Sequence, residues 1–177
     1  MRLLTLIAII AFALPASADE FGTLNPEELT LQHAIEKAAR GHVDMMTCAA
    51  GYPLTKSGRH GQARLIFKLC AEQGFTAAMT WMSQMDDNGL GAVMDPAAAA
   101  RWDEQAALAG DPVGLLNFGL DLLRGRGVAA NAALGQHYID QAAESGLPMA
   151  QQLRRAGYDT EVVTPDADDW KYGSQSF

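Results

Sequence analysis

Apolar positions recur with a helical period along most of the chain. From 113 to 123 they fall three or four residues apart, which places them on one face of an α-helix. Asp111 and Pro112 stand just before this stretch, an N-cap residue followed by proline in the first turn. Gly125 and Gly127 then supply the backbone freedom that a tight reversal needs. The pattern therefore predicts a helix, a short turn and a second helix.

The same arrangement returns at a fixed interval, because Gly74, Gly110 and Gly146 lie 36 residues apart. The pairs that match at this offset are Ala78 and Gly114, Gly89 and Gly125, Gly91 and Gly127, Asp95 and Asn131, Trp102 and Tyr138, and 105–107 and 141–143. They cluster at turns, at caps and along one helical stripe. Neither helix of a unit could bury its apolar face alone, so the repeat predicts stacked helix pairs with one continuous core.

These residues resemble a known repeat. In the unit 110–146 they read Phe118-Gly119, Gly125-Arg-Gly127-Val128, Asn131, Tyr138 and Ala142-Ala-Glu-Ser-Gly146, which resembles the Sel-one-like repeat (SLR), a relative of the tetratricopeptide repeat. The resemblance is strong over 110–146, good over 74–110 and weaker over about 41–157. It implies an all-α fold, a right-handed α-α superhelical solenoid of stacked antiparallel helix pairs.

The repeat register also divides the chain into segments. We predict a signal peptide at 1–18, an N-terminal capping helix at 19–40, a solenoid at 41–159 and an acidic, disordered tail at 160–177. The solenoid comprises a degenerate unit at 41–74, units at 74–110 and 110–146, and a closing helix at 147–157. Asn25-Pro26 with Glu28 is the start signal for the capping helix, which should run through Ala39. A short recognition segment is the alternative for the tail.

The first 18 residues have the layout of a cleavable secretory signal. Arg2 is followed by an apolar run from 3 to 14 and by small residues up to Ala18, so cleavage is expected between Ala18 and Asp19. The run is shorter than the roughly 20 residues that a membrane-spanning helix needs, which makes a membrane anchor the weaker alternative. We therefore expect a periplasmic or secreted protein, with no stable membrane insertion after cleavage.

The net charge and the cysteine content limit which partners and which cellular compartment we expect. The formal net charge of −8 argues against nucleic-acid partners, since phosphate binding requires clustered Lys and Arg. Cys48 and Cys70 would meet an oxidising compartment after export, where a pair of cysteines tends to be bridged. A disulfide would close a loop of about 23 residues, worth about 3 kcal/mol in the chain-entropy model. Two buried thiols at helix interfaces are the alternative.

Nothing in the sequence argues for catalysis, a metal or a cofactor. The four histidines have no metal-ligand spacing, and the Gly-x-Gly turns lack the strand and lysine of a phosphate loop. Unit 74–110 departs from the SLR pattern at Met82-Ser83, in place of Leu-Gly, and at Asp86, in place of a large apolar residue. Asp86 and Asp87 are adjacent carboxylates, but neighbouring helical positions point about 100° apart. We expect them on a solvated surface.

The SLR resemblance also implies where a partner binds. In such proteins the first (A) helices of the units line a concave face that grips peptides or folded proteins. The A-helix positions outside the core stripe are Trp81, Met85, Asn88, Asn117, Asp121 and Arg124. The apolar pair at 81 and 85 suits a binding surface, with packing against the next helix as the alternative.

The resulting hypothesis is an exported adaptor, scaffold or regulator that binds another protein or peptide. The alternative is a penicillin-binding or weak β-lactamase-like enzyme, as cysteine-rich SLR proteins have been labelled. Those proteins carry a cysteine pair in nearly every repeat, whereas this chain has two cysteines in all.

Overall fold

The computed structural model describes residues 30–163, and the regular elements in this range are all helical. They are α1 Leu31–Ala39, α2 Met45–Ala49, α3 Gly51–Lys56, α4 His60–Glu72, α5 Thr76–Asp87, α6 Pro96–Leu108, α7 Pro112–Arg124, α8 Ala132–Glu144, α9 Pro148–Arg155 and a 3-10 turn at Thr160–Val162. The predicted all-α fold is confirmed.

Successive helices pack against each other in chain order, so that α5 and α6, and then α7 and α8, form antiparallel pairs. The A helices α5 and α7 also contact each other directly. No contact of similar extent joins the second (B) helices α4, α6 and α8 within residues 30–163. The A helices therefore form the inner layer, as the concave side of a solenoid requires.

Polar caps start three of the four helices in the two regular units, while α5 follows Phe75 without a side-chain cap. Asp95, Asp111 and Asn131 stand just before α6, α7 and α8, and each accepts hydrogen bonds from backbone amides in the first turn at 2.9–3.1 Å. Such caps satisfy amides that have no partner inside the helix. The helix starts expected from Asp95, Asp111 and Asn131 are thus confirmed.

The second glycine of each Gly-x-Gly turn allows that turn to pack closely against the preceding unit. Gly91 and Gly127 have φ of 75° and 66°, a region that favours glycine. A Cβ at Gly91 would lie 2.9 Å from the carbonyl oxygen of His60, and one at Gly127 would lie 2.0 Å from that of Pro96. His60 and Pro96 begin the preceding B helices, α4 and α6. Backbone conformation and close contact both require glycine here.

The disulfide prediction is confirmed, because Cys48 of α2 is bridged to Cys70 of α4 with a Cα–Cα distance of 5.9 Å. Cys70 is buried in the core. Helix α2 has only five residues, of which Thr47 alone is buried, so it gains little from packing. The bridge holds this short helix against the solenoid.

The two ends of the described chain differ in how they match the prediction. Helix α1 ends at Ala39 as expected and is capped by the Thr30 side chain, whereas the start signal at 25–28 lies outside the described residues. Helix α9 closes the stack with Arg154 and Arg155 exposed, as expected.

The tail prediction is wrong for its first four residues. Thr160–Val162 forms a 3-10 turn and Val163 is buried against the core that α7 shares with α8 and α9. The physical reason is that Val163 adds apolar surface to this core, while backbone carbonyls in the segment accept hydrogen bonds from α7. Residues 164–177 and the predicted signal at 1–18 lie outside the described range. Within 30–163, no helix has the length and hydropathy of a membrane span.

Candidate functional site

The inner face of α5 and α7 carries the residues predicted to bind a partner. Trp81, Asn88, Asn117 and Arg124 keep accessible surface, whereas Met85 and Asp121 are buried. The six positions therefore lie along two adjacent A helices, but only four of them reach the surface.

Met85 is a core residue. Its exposed fraction is 0%, and it belongs to the apolar cluster that α4, α5 and α6 share. Packing, which was the alternative for this position, is what the structure shows. Met85 lies beneath the inner face and does not present a surface to a partner.

Trp81 belongs to a group of aromatic rings at the N-terminal end of the inner face. It stacks on buried Phe67, with ring centroids 5.3 Å apart and planes within 3°, and meets the edge of Tyr52 at 5.6 Å. Tyr52 is 45% exposed and Trp81 is partly exposed. We call Tyr52 and Trp81 the aromatic shelf. Phe67 covers one face of the indole, and part of the shelf stays accessible.

A polar network ties α5, α6 and α7 together behind this face. Asp103 of α6 is 3% exposed, and its carboxylate accepts hydrogen bonds from the Ser83 hydroxyl of α5 and, at 3.1 Å, from the Asn117 amide of α7. In the next unit the positions of Ser83 and Asp103 are taken by Gly119 and Ile139, which touch across α7 and α8. The Ser83 departure from the SLR pattern is therefore half of a polar pair that replaces an apolar one.

Asp121 lies one turn beyond Asn117 on α7. It is 9% exposed, and its Oδ2 atom is buried without a hydrogen-bond partner. Burial raises the pKa of Asp121 to about 8; the negative charges of Asp103 and Asp87 add to the shift, and Arg126 and Arg124 oppose it. We refer to Asp87, Asp103 and Asp121 as the acidic cluster.

The pKa of Asp103 is raised as well. Burial lifts it to about 7, against the hydrogen bonds from Ser83 and Asn117, which favour the charged form. The charges of Asp87 and Asp111 contribute further to the rise. The cluster therefore retains protons at pH values where isolated aspartates are fully ionised.

Two arginines lie beside the cluster but make bonds elsewhere. Arg126, from the turn after α7, donates through Nε to the Asp87 carboxylate at 3.0 Å and so links one unit to the preceding one. Arg124 donates to the backbone carbonyls of Thr160 and Val163 at 2.9 and 3.2 Å. The predicted binding residue Arg124 thus anchors the segment that follows α9. Asn88 likewise bonds within its own helix end, to the Gln84 carbonyl at 2.8 Å.

The expectation of a solvated surface is wrong for Asp86. Its exposed fraction is 2%, and it forms an ion pair with the Arg64 side chain of α4. A buried carboxylate needs such a counter-charge because desolvation is costly. Asp87 is partly exposed and pairs with Arg126. Asp86 stands where the SLR pattern has a large apolar residue, and Arg64 supplies its counter-charge.

Tyr52, Ser83 and Asp103 were not identified as site residues from the sequence. A signal existed for Asp103, since it falls in the small-residue stripe of α6 with Ala99, Ala106 and Ala107, and an acid there needs a partner. Tyr52 sits in the shortened first unit, where the 36-residue register is lost. Within residues 30–163 no group of three or more His, Cys, Asp or Glu side chains is arranged to hold a metal ion.

Comparison with known proteins identifies the fold. No protein-family model matches the chain, and no curated protein matches it. Among solved structures, a Sel1 repeat protein from Oxalobacter formigenes is similar over 69% of this chain and 94% of its own, with 25% identity and a TM-score of 0.55. Helicobacter pylori cysteine rich protein B is similar over 75% and 98%, with 18% identity and a TM-score of 0.57.

A third structure is c5321, a protective antigen of uropathogenic Escherichia coli strains that displays an SLR fold. It is similar over 71% of this chain and 33% of its own, with 22% identity and a TM-score of 0.50. The chain thus has the SLR fold, a helical solenoid, and the resemblance found in its repeat motif is confirmed.

Proposed function

We propose that this protein is an exported, periplasmic or secreted, adaptor, scaffold or regulator that binds another protein or peptide on the inner face of its A helices. The observation that carries the proposal is the aromatic shelf, where the Trp81 indole of inner helix α5 stacks on Phe67 and meets the exposed Tyr52 phenol. Aromatic side chains of this kind dominate the energy of protein interfaces.

Export is supported by the Cys48–Cys70 bridge. Disulfides persist in oxidising compartments and are rare in the cytosol. The secretory layout of residues 1–18 points the same way.

The enzyme alternative is less well supported by the side chains. Ser83 donates to Asp103, which is the pairing of a nucleophile with a base. Both residues are buried between helices, at 4% and 3% exposure, so a substrate carbonyl has no path to the hydroxyl. The pair therefore supports a structural role, and the inner face remains the better candidate for function.

Site-specific photo-crosslinking in the native cell envelope tests the proposal. A crosslinker at Asn88, on the inner face, should capture a discrete partner, whereas one at exposed Glu104, on the outer helix α6, should not. Trp81→Ala should leave the far-UV circular dichroism near normal and weaken capture. Equal capture from both positions, or saturable hydrolysis of a chromogenic lactam by the purified chain, would overturn the proposal.

A further inference from the structure

When it is ionised, Asp121 lacks a hydrogen-bond donor for one of its two carboxylate oxygens. Its Oδ2 atom is buried and has no partner among the described residues. The other two acids of the cluster are supplied, Asp87 by Arg126 and Asp103 by Ser83 and Asn117. A desolvated carboxylate without donors is unfavourable as an anion, so an added cation would stabilise the ionised form of Asp121.

The chain's own basic groups do not meet this requirement. Arg124 is on the same helix, yet its Nη2 bonds to the carbonyls of Thr160 and Val163. Arg126 is bonded to Asp87 through Nε. The hydrogen bonds of both arginines therefore go to groups other than Asp121, in a chain whose formal net charge is −8.

We propose that Asp121 is a recognition site for a basic side chain, and that the partner presents a lysine or arginine to the acidic cluster between α5 and α7. The proposal rests on the proposed function and specifies the partner's chemistry. The Arg126 side chain is 41% exposed and pairs with Asp87, so the incoming group would reach the cluster by displacing it.

An organic cation suits the cluster better than a metal ion. The described acids are not grouped as metal ligands, whereas an ammonium or guanidinium on a flexible stem donates hydrogen bonds to separated carboxylates. Charge pairs formed away from water are also stronger than those on an open surface. The cluster would therefore add both affinity and selectivity for basic segments.

A random dodecapeptide library, selected on the purified full chain, supplies the probe. We expect the selected peptides to contain a lysine or arginine whose replacement by norleucine or citrulline weakens binding at least about tenfold. Asp121→Asn should cause a similar loss, and the two changes together should lose little more than either alone, since they remove the same contact. Glu104→Gln removes an exposed acid from α6 and is the matched control, with an expected change below about twofold.

The outcomes separate this inference from the proposed function. Peptides that bind and crosslink at position 88 but are indifferent to Asp121→Asn would refute the basic site and leave the groove function standing. Titration with n-butylammonium and n-propylguanidinium, with n-butanol as neutral control, covers the opposite case. Cation-specific NMR shifts at 117–121 that vanish in Asp121→Asn, with no peptide selected, would support the site and count against the protein-binding function.

Discussion

Replacing Asp121 by asparagine should stabilise the fold increasingly as pH rises. The pKa of Asp121 is raised from 3.8 to about 8, so the folded state holds a proton that the unfolded chain has released. Between these values the folded state binds more protons than the unfolded state, and stability falls with pH. The stability that the protonated Asp121 gives the folded state is fully present below pH 3.8 and is lost as the pH rises through about 8. Asparagine keeps the shape of the protonated acid and never ionises.

The size of the effect follows from the pKa shift. Between pH 5 and pH 8 each unit is worth about 1.4 kcal/mol, which sets an upper limit of about 4 kcal/mol. Asp121 borders the inner face, where water, Arg124 and Arg126 can relax around the charge, so we expect about half of this limit. The free energy of unfolding of Asp121→Asn should therefore exceed that of the wild type by a margin that grows by about 2 kcal/mol between pH 5 and pH 8.

Urea unfolding followed by tryptophan fluorescence at pH 5, 7 and 8.5 measures this margin. Asp44, whose pKa is lowered chiefly by its hydrogen bond with Lys37, acts below pH 4 and does not interfere. Glu104→Gln serves as control for the loss of one negative charge and should follow the wild type across the range. Parallel curves for wild type and Asp121→Asn would show that Asp121 ionises normally and that burial does not raise its pKa.

Two further changes test the fold. Gly127→Ala should lower the free energy of unfolding in urea by about 3 kcal/mol or more, because its Cβ would meet the Pro96 carbonyl. Gly110→Ala is the control: this glycine has the same left-handed backbone but open space around it, so the loss should be only about 1 kcal/mol. Equal losses would contradict the close contact between the 125–127 turn and α6. Joint replacement of Cys48 and Cys70 by alanine should lower the free energy of unfolding by about 3 kcal/mol. A reductant should lower the urea midpoint of the wild type and leave that of the double variant unchanged. If neither the replacement nor the reductant changes the midpoint, the bridge is not formed in solution.

The fold was predictable because its signals are local and repeated. Asp95, Asp111 and Asn131 cap helices, and Gly91 and Gly127 mark turns, through interactions with nearby backbone. The caps at Asp95 and Asn131 and the turn glycines recur at the same offset, so one unit supports the interpretation of the next. The shortened first unit lacks that support, and its division into α2 and α3 was not foreseen.

The depth of the site residues was harder to predict. Helix α7 contacts α5, α6 and α8 and is buried at nearly every position from 114 to 122, so its amphipathic pattern no longer separates a core face from a free one. Met85 and Asp121 occupy equivalent places in successive units and are both buried, although one is apolar and the other acidic. The pairing of Asp86 with Arg64 depends on two helices meeting in space, which no spacing along the chain reveals.

The location of the buried acids bears on why they are there. Where α7 meets α8 the helices touch through Gly119 and Ile139, an apolar contact that the same repeat could have used between α5 and α6. Ser83 and Asp103 stand there instead, and Asp121 adds a second raised pKa on α7. Polar groups that break the repeat's own packing rule at a cost in stability are more often tied to function than to folding. A partner cation at Asp121 would remove part of that cost on binding, so the bound solenoid should unfold at higher urea than the free one, with the largest difference above pH 7, where the free cluster is under most strain.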